Sequence, residues 1–317
     1  MLDIRVLREQ MEVLRGALSR RGALNGLAPV LDRAERLERE RRTTIQAVEE
    51  RKAARNVASQ EVARRKRNKE DADDLIAQSR QLGDEIARLE EELAAIEQQL
   101  QAILLEIPNI TLPDVPAGGE DANRVVKEWG APRREAGLRA HWEIGARLGI
   151  LDLERAAKVS GSGFVVYRGR GARLARSLVQ YFMTVHSDEH GYEEIWPPDL
   201  VTRAAMTGTG QLPKFEEDAY AVKGEDLFLI PTAEVPVTNL YRDEILEAEA
   251  LPMAFVAYSK CFRREAGSAG KDTRGVLRSH EFDKVELVRY STPEESAAEL
   301  ERLTGHAEAI LERLGIP

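Results

Sequence analysis

The chain has 317 residues, 43% of them hydrophobic and 32% charged, and a formal net charge of −9. That length suits two domains, and the acidity excludes a uniformly basic nucleic-acid binder, so any such surface must be local. One cysteine, Cys261, excludes an intrachain disulfide and fits a reducing compartment. The opening "MLDIRVLREQMEVLRGALSRR" reads as an amphipathic helix, not an apolar leader. Nowhere do about 18 apolar residues run together, so no membrane partner and a cytoplasmic location are expected.

From about Leu27 to Ile107 helix formers dominate. Leu82, Ile86, Leu89, Leu93, Ile96, Leu100, Ile103 and Ile107 step by four and three, which is the seam of a coiled coil. Leu31, Ala34, Leu37, Ile45 and Val48 give a weaker version upstream. Between them, "RRKRNKEDADD" at 64–74 has no seam residue and carries residues suited to a turn and a new helix start. The pattern predicts an antiparallel two-helix hairpin with arms of about 36 residues, roughly 55 Å long. Its tip and first arm gather Arg51, Arg55, Arg64, Arg65, Lys66, Arg67 and Lys69. On charge alone two readings stay open: a solvated end, or an arm that holds RNA through phosphates and shape. Arg64, Arg65 and Arg67 lie off the seam, so their removal is expected to leave the hairpin's stability nearly unchanged.

"EIPNITLPDVPAGGEDANRVVKEWG" changes composition abruptly, and its prolines and glycines end the helix. The expected organisation is an N-terminal domain over 1–107, a linker over 108–125 and a second domain over 126–317. In the second domain, 173–191 reads as an amphipathic helix stopped by Gly191, and "YEEIWPPDLV" as a strand ending at prolines. "DLFLIPTAEVPVTNLYRDEIL" reads as strand, turn and helix. Two further strands flank the 266–279 loop, and a helix with Pro293 near its start closes the chain. Strands joined by a hairpin predict an α+β fold with an antiparallel sheet flanked by helices. Two motifs fail. "GSAGKDT" lacks the Walker pattern, with Glu265 at the first glycine position and Asp272 after the lysine. His186 and His190 fit His-x-x-Glu-His, yet no third ligand is indicated, so no metal is assigned.

Alternation puts Arg263 and Glu265 on one strand face, and Phe282 and Glu286 on one face of the next. Paired across the loop, these faces coincide. A guanidinium and an aromatic can sandwich a purine or meet a phosphate, and carboxylates can accept from an amine. Such a surface suits a site for ATP and an amine. A cross-strand ion-pair ladder on a solvated face is the alternative.

"CFRREAGSAGKDTRGVLRSHEFDKVEL" closely resembles motif 2 of class II aminoacyl-tRNA synthetases in its seryl-tRNA synthetase form. "GARLARSLVQYFMTVHSDEHGYEEIWPPDLV" is similar to that family's dimer-forming motif 1. "GTGQLPKFEEDAY" and "PTAEVPVTNL" resemble its ordering loop and serine-binding Thr-Ala-Glu, and the basic hairpin resembles its tRNA arm. The resemblance covers the whole chain. It implies an α+β fold with a class II synthetase-type antiparallel sheet, and a serine–tRNA ligase. ATP would meet Arg263, Arg264, Glu265, Arg278, Ser279, His280 and Phe282. Serine would meet Thr232, Ala233, Glu234, Arg263 and Glu286, with Arg263 the catalytic group at the α-phosphate. It further implies Mg²⁺, tRNA(Ser) and tRNA(Sec) as partners, and a homodimer through motif 1. Arg264 stands where the family usually has a smaller residue, and alternation points it away from Arg263. The family's motif 3 and acidic Mg²⁺-binding segment have no counterpart in these 317 residues, so the chain by itself is expected to be inactive. A non-catalytic tRNA-binding or dimerising paralogue or fragment is the alternative. An amino-acid:carrier-protein ligase is disfavoured by the long hairpin.

Overall fold

The computed structural model describes residues 2–266 and 274–317, so the Walker-like "GSAGKDT" stretch lies outside the described residues. The chain divides into two compact units, Met1–Arg124 and Val125–Pro317.

In the first unit, short helices α1 (Ile4–Glu9) and α2 (Met11–Arg20) precede α3 (Leu24–Arg67) and α4 (Asp73–Glu106). The arms are 44 and 34 residues long, not equal, because α3 begins upstream of the predicted seam. The seam packs as its periodicity requires: Leu31, Ala34 and Leu37 join Ile96, Leu100, Ile103 and Ile107 in one buried cluster with Leu14 and Leu18. Ile45 is only partly buried, and Thr44 takes the buried place beside Val48. Between the arms, Lys69 adopts φ +58°, the left-handed conformation that reverses the chain. Asp71 accepts from the Asp73 amide at 3.1 Å. The four cations ending α3 and the acids opening α4 both suit the helix dipoles there.

The second unit contains α5 (His141–Arg147), α6 (Leu153–Ser160) and α7 (Arg170–Thr184), the last continued by a π-turn over Val185–Glu189. Strands β1 (Glu193–Ile195) and β2 (Leu200–Thr202) follow, then α8 (Arg203–Gly208). After β3 (Tyr220–Ala221) and β4 (Leu227–Leu229) come α9 (Glu234–Thr238), β5 (Met253–Phe262), β6 (Glu281–Tyr290) and α10 (Ser296–Leu314). One sheet has the order β1-β5-β6 and the other β2-β4-β3. The long β5–β6 hairpin is antiparallel and runs in register from Met253↔Tyr290 to Phe262↔Glu281. β1 joins β5 in parallel, a pairing that the hairpin reading did not include. Strand alternation then sorts the faces. Val256, Tyr258, Val285 and Leu287 pack with Met183 and Tyr192, whereas Phe255 and Ala257 pack with Ala233 and Val237. A third cluster, built around Met206, Phe228, Ile230 and Val235, supports the turn that carries Thr232.

Candidate active site

The register of the hairpin positions the site. Cys261 pairs with Phe282, Ser259 with Lys284 and Ala257 with Glu286, so these six share one face. Beyond the last strand pair, the Arg263 amide donates to the His280 carbonyl at 2.9 Å. This extends the ladder by one step and returns Arg263 to the face of Phe282. Its guanidinium lies 5.1 Å from the Phe282 ring centroid, within cation–π range. Then Glu265 turns the chain at φ +52°.

These residues border a cavity of roughly 710 Å³, whose lining includes Thr232, Glu234, Arg263, Glu265, Phe282 and Lys284. Arg278 and Ser279 also reach it. The Arg278 guanidinium is engaged with Glu265 Oε2 at 2.8 Å, so the two groups assigned to opposite ends of the nucleotide hold each other here. Thr232 Oγ1 donates to Glu286 Oε2 at 2.5 Å and accepts from the Glu234 amide at 3.2 Å. The Glu234 carboxyl is pushed above the usual carboxylate range. Desolvation is the main cause and Glu286 the second, with Lys284 opposing both.

Four sequence-assigned residues stand off this lining. Arg264 turns away, and its guanidinium donates to the Glu217 carbonyl at 3.1 Å. The reason is alternation: its amide faces Asp218, outside the sheet, so the assignment of Arg264 to the nucleotide is not met by a contact with the cavity. Ala233 is fully buried against Val237 and Phe255. The His280 amide donates to the Gly163 carbonyl at 2.8 Å, and a Cβ at Gly163 would stand 2.5 Å from the His280 ring. Glu286 sits behind Lys284. Cys261 is buried, and burial pushes its thiol upward, as a structural strand residue requires. Lys284 was not assigned from sequence, although period-two spacing from Phe282 and Glu286 gave its face. Gln211, Phe215 and Asp218, from the stretch before β3, also line the cavity.

In the hairpin, Arg51 pairs with Glu85 at 2.7 Å and Arg64 with Glu61 at 2.6 Å. Arg65 bridges Glu61 and Asp74 at 3.3 and 3.1 Å. It thereby ties one arm to the other. Arg67 donates to the Ala63 carbonyl at 3.3 Å. Among the described residues Arg55, Lys66, Arg67 and Lys69 have no carboxylate partner.

Residues 1–111 match the seryl-tRNA synthetase N-terminal domain, and 214–317 match the tRNA synthetase class II core domain (G, H, P, S and T). The serine–tRNA ligase of Gemmatimonas aurantiaca is 60% identical over the whole of this chain, which covers 75% of that protein. That of Geobacillus kaustophilus is 54% identical, with 74% of its length covered. The crystal structure of Pyrococcus horikoshii seryl-tRNA synthetase complexed with ATP superimposes with a TM-score of 0.87 at 35% identity. That match covers 98% of this chain and 74% of the other.

Proposed function

The chain belongs to the seryl-tRNA synthetase family of ligases, and on that premise we propose that it activates serine with ATP and transfers it to tRNA(Ser). One observation carries the reading: a guanidinium–aromatic pair, Arg263 with Phe282, borders the same cavity as the Thr232 hydroxyl, with Glu286 behind it. The first pair suits a nucleotide and the second an amino acid.

In the first step a serine carboxylate oxygen attacks the α-phosphorus of ATP. The bond to the bridging oxygen breaks, pyrophosphate leaves, and seryl-adenylate forms. Arg263 neutralises charge on the α-phosphate and holds the attacking carboxylate against it. Phe282 stacks on adenine, Glu265 accepts from the adenine end, and Arg278 exchanges Glu265 for the outer phosphates, with Ser279 and His280 nearby. Thr232, Glu234 and Glu286 take the serine. In the second step a hydroxyl of the tRNA's terminal ribose attacks the acyl carbonyl and AMP leaves. Neither step needs a side-chain nucleophile.

Mg²⁺ enters this reading as the counter-ion of the nucleotide's phosphates. Among the described residues no group of three or more His, Cys, Asp or Glu could hold a metal ion, so the ion is assigned no ligands within them. The basic hairpin takes the tRNA. A homodimer through α7 and β1 is part of the proposal, supported by exposed Leu174, Tyr181 and Trp196. So are tRNA(Sec) as a second acceptor and a cytoplasmic location. No described helix is long and apolar enough to cross a membrane.

Serine-dependent ATP–pyrophosphate exchange tests the reading. Exchange that prefers threonine or alanine rejects serine as the substrate. Tight tRNA binding with no exchange favours the non-catalytic alternative.

A further inference from the structure

Phe282, Lys284 and Glu286 share one face of β6, so Lys284 stands between the groups assigned to nucleotide and amino acid. Its Nζ donates to Thr232 Oγ1 at 3.0 Å and is ion-paired with Glu286 Oε2. Thr232 donates to that same carboxylate oxygen. The three groups close a triangle. Lys284 lines the cavity and Glu286 does not. The Glu286 side chain keeps only 18% of its exposure.

This is the bonding that a substrate ammonium needs: one N⁺ shared by a hydroxyl and a carboxylate, with Glu234 lining the same cavity. We propose that Lys284 is a positioning residue that stands in for the serine ammonium while the subsite is empty and swings away when serine enters. The proposal rests on the reading of Thr232, Glu234 and Glu286 as the serine subsite. The physical need is clear. Two carboxylates facing one partly desolvated space favour protonation of one of them, and a protonated acid binds an ammonium poorly. A resident cation opposes that uptake of a proton at Glu234. A lysine suits a group that must leave, since its ammonium is a compact point charge on a flexible stem, whereas an arginine fork would grip the carboxylate at two points. The charged and titratable groups around Lys284 are Glu286 on its own strand, Glu234 on α9, the Cys261 thiol on β5 and Arg263 just past β5. Burial pushes the thiol up, and burial together with the neighbouring Glu286 pushes the Glu234 carboxyl up while the Lys284 ammonium opposes both, so Glu234 is the group whose charge answers to that cation.

The test measures KM for serine and for ATP in pyrophosphate exchange, from about pH 5.5 to 8.5. The parent's serine KM is expected to stay nearly flat. In Lys284→Met it should climb toward acid pH, by up to about tenfold per pH unit once the carboxylate takes its proton, with ATP KM unmoved. Lys284→Arg keeps the cation and should keep the flat profile, at a higher KM because it leaves less readily. A Lys284→Met profile parallel to the parent's overturns the proposal. So does an ATP KM that moves as much as the serine KM, or a steep profile in Lys284→Arg. Thermal melts check folding, and Lys284→Gln serves as a second neutral variant should Lys284→Met fail to fold. Glu286→Gln separates the two readings: an unchanged serine KM there rejects the subsite itself.

Discussion

Single residues in this fold carry unequal weight, and burial decides which matter. Arg289 on β6 pairs with Glu299 on α10, and their side chains keep only 9% and 7% of their exposure. Arg302 adds a 2.6 Å bond to the other Glu299 oxygen, and Tyr192 presents its ring 5.2 Å from Arg289. Glu299→Ala leaves the Arg289 guanidinium buried without its carboxylate, a loss of about 3–5 kcal/mol. Chemical denaturation should show that loss for Glu299→Ala and a smaller one for Glu299→Gln, which keeps an acceptor. Equal, small changes in both would mean that the pair is solvated. In the cavity, Glu286→Gln is expected to weaken serine use by about tenfold or more while ATP binding changes little, since an amide leaves an ammonium unpaired. Equal losses for both ligands in exchange assays would reject that role. Alternation made Arg263, Phe282 and Glu286 legible before any coordinates, because the period of a strand is rigid. It missed the engagement of Glu265 with Arg278, because that contact depends on a left-handed residue at 265 that no local pattern in the sequence announces.

At the scale of elements, periodicity and turn chemistry again divide what was readable. The hairpin seam was plain, since eight apolar positions repeat over one arm. The parallel pairing of β1 was not, because a three-residue strand has too little pattern to name its partner. The tip shows how ion pairing refines a charge count. Arg64 and Arg65 spend their charge on Glu61 and Asp74, whereas Lys66, Arg67 and Lys69 have no carboxylate partner among the described residues. Lys66, Arg67 and Lys69 changed together to Ala should weaken binding of a tRNA with a long variable arm. Each lost phosphate contact should flatten the logarithmic salt slope by roughly 0.7–0.9. Arg65→Ala should instead lower the melting temperature of the hairpin. If the triple variant binds like the parent across a salt series, the tip is only a solvated end. A second element-level device joins the π-turn after α7 to α10. His186 and His190 meet Nδ1 to Nδ1 at 3.0 Å, His190 stacks on His306 at 4.1 Å between centroids, and Tyr192 reaches His306 at 3.0 Å. Burial first, then the neighbouring histidines and Arg313, hold His186 down to about 4. The unfolded chain binds that proton at higher pH than the folded one, so stability is full above about pH 6.5 and is lost as pH falls toward 4. His186→Gln should remove much of this slope from melting curves, and an unchanged slope would show that His186 does not titrate there.

The whole molecule combines two units with separate cores, and their charges answer to pH differently. The apolar cluster of Met1–Arg124 contains residues of that unit alone, and the clusters around Phe228, Phe255 and Tyr192 belong to Val125–Pro317. Each unit therefore has the means to unfold by its own transition. The histidine cluster lies wholly in the second unit. In the first, Glu61 near the hairpin tip is held down to about 2, chiefly by its hydrogen bonds from Arg64. A depressed carboxylate keeps its contribution above the unfolded value near 4.5 and loses it only as pH falls toward 2. Between about pH 6.5 and 4.5, then, the second unit should lose stability while the first stays nearly constant. Calorimetry of the full chain over that window should resolve two transitions, with only one moving downward. A chain of residues 1–124 should melt at the temperature of the stationary one. A helical hairpin followed by a sheet with helices was legible in the sequence, because composition changes sharply at the proline-rich stretch after Ile107. The pH asymmetry was not legible, since His306 lies 116 residues beyond His190 and only the packing of α10 brings their rings together. A single transition that shifts as one body through the window would show that the two units fold as a cooperative whole, and the separate cores would then be subdivisions of one folding unit.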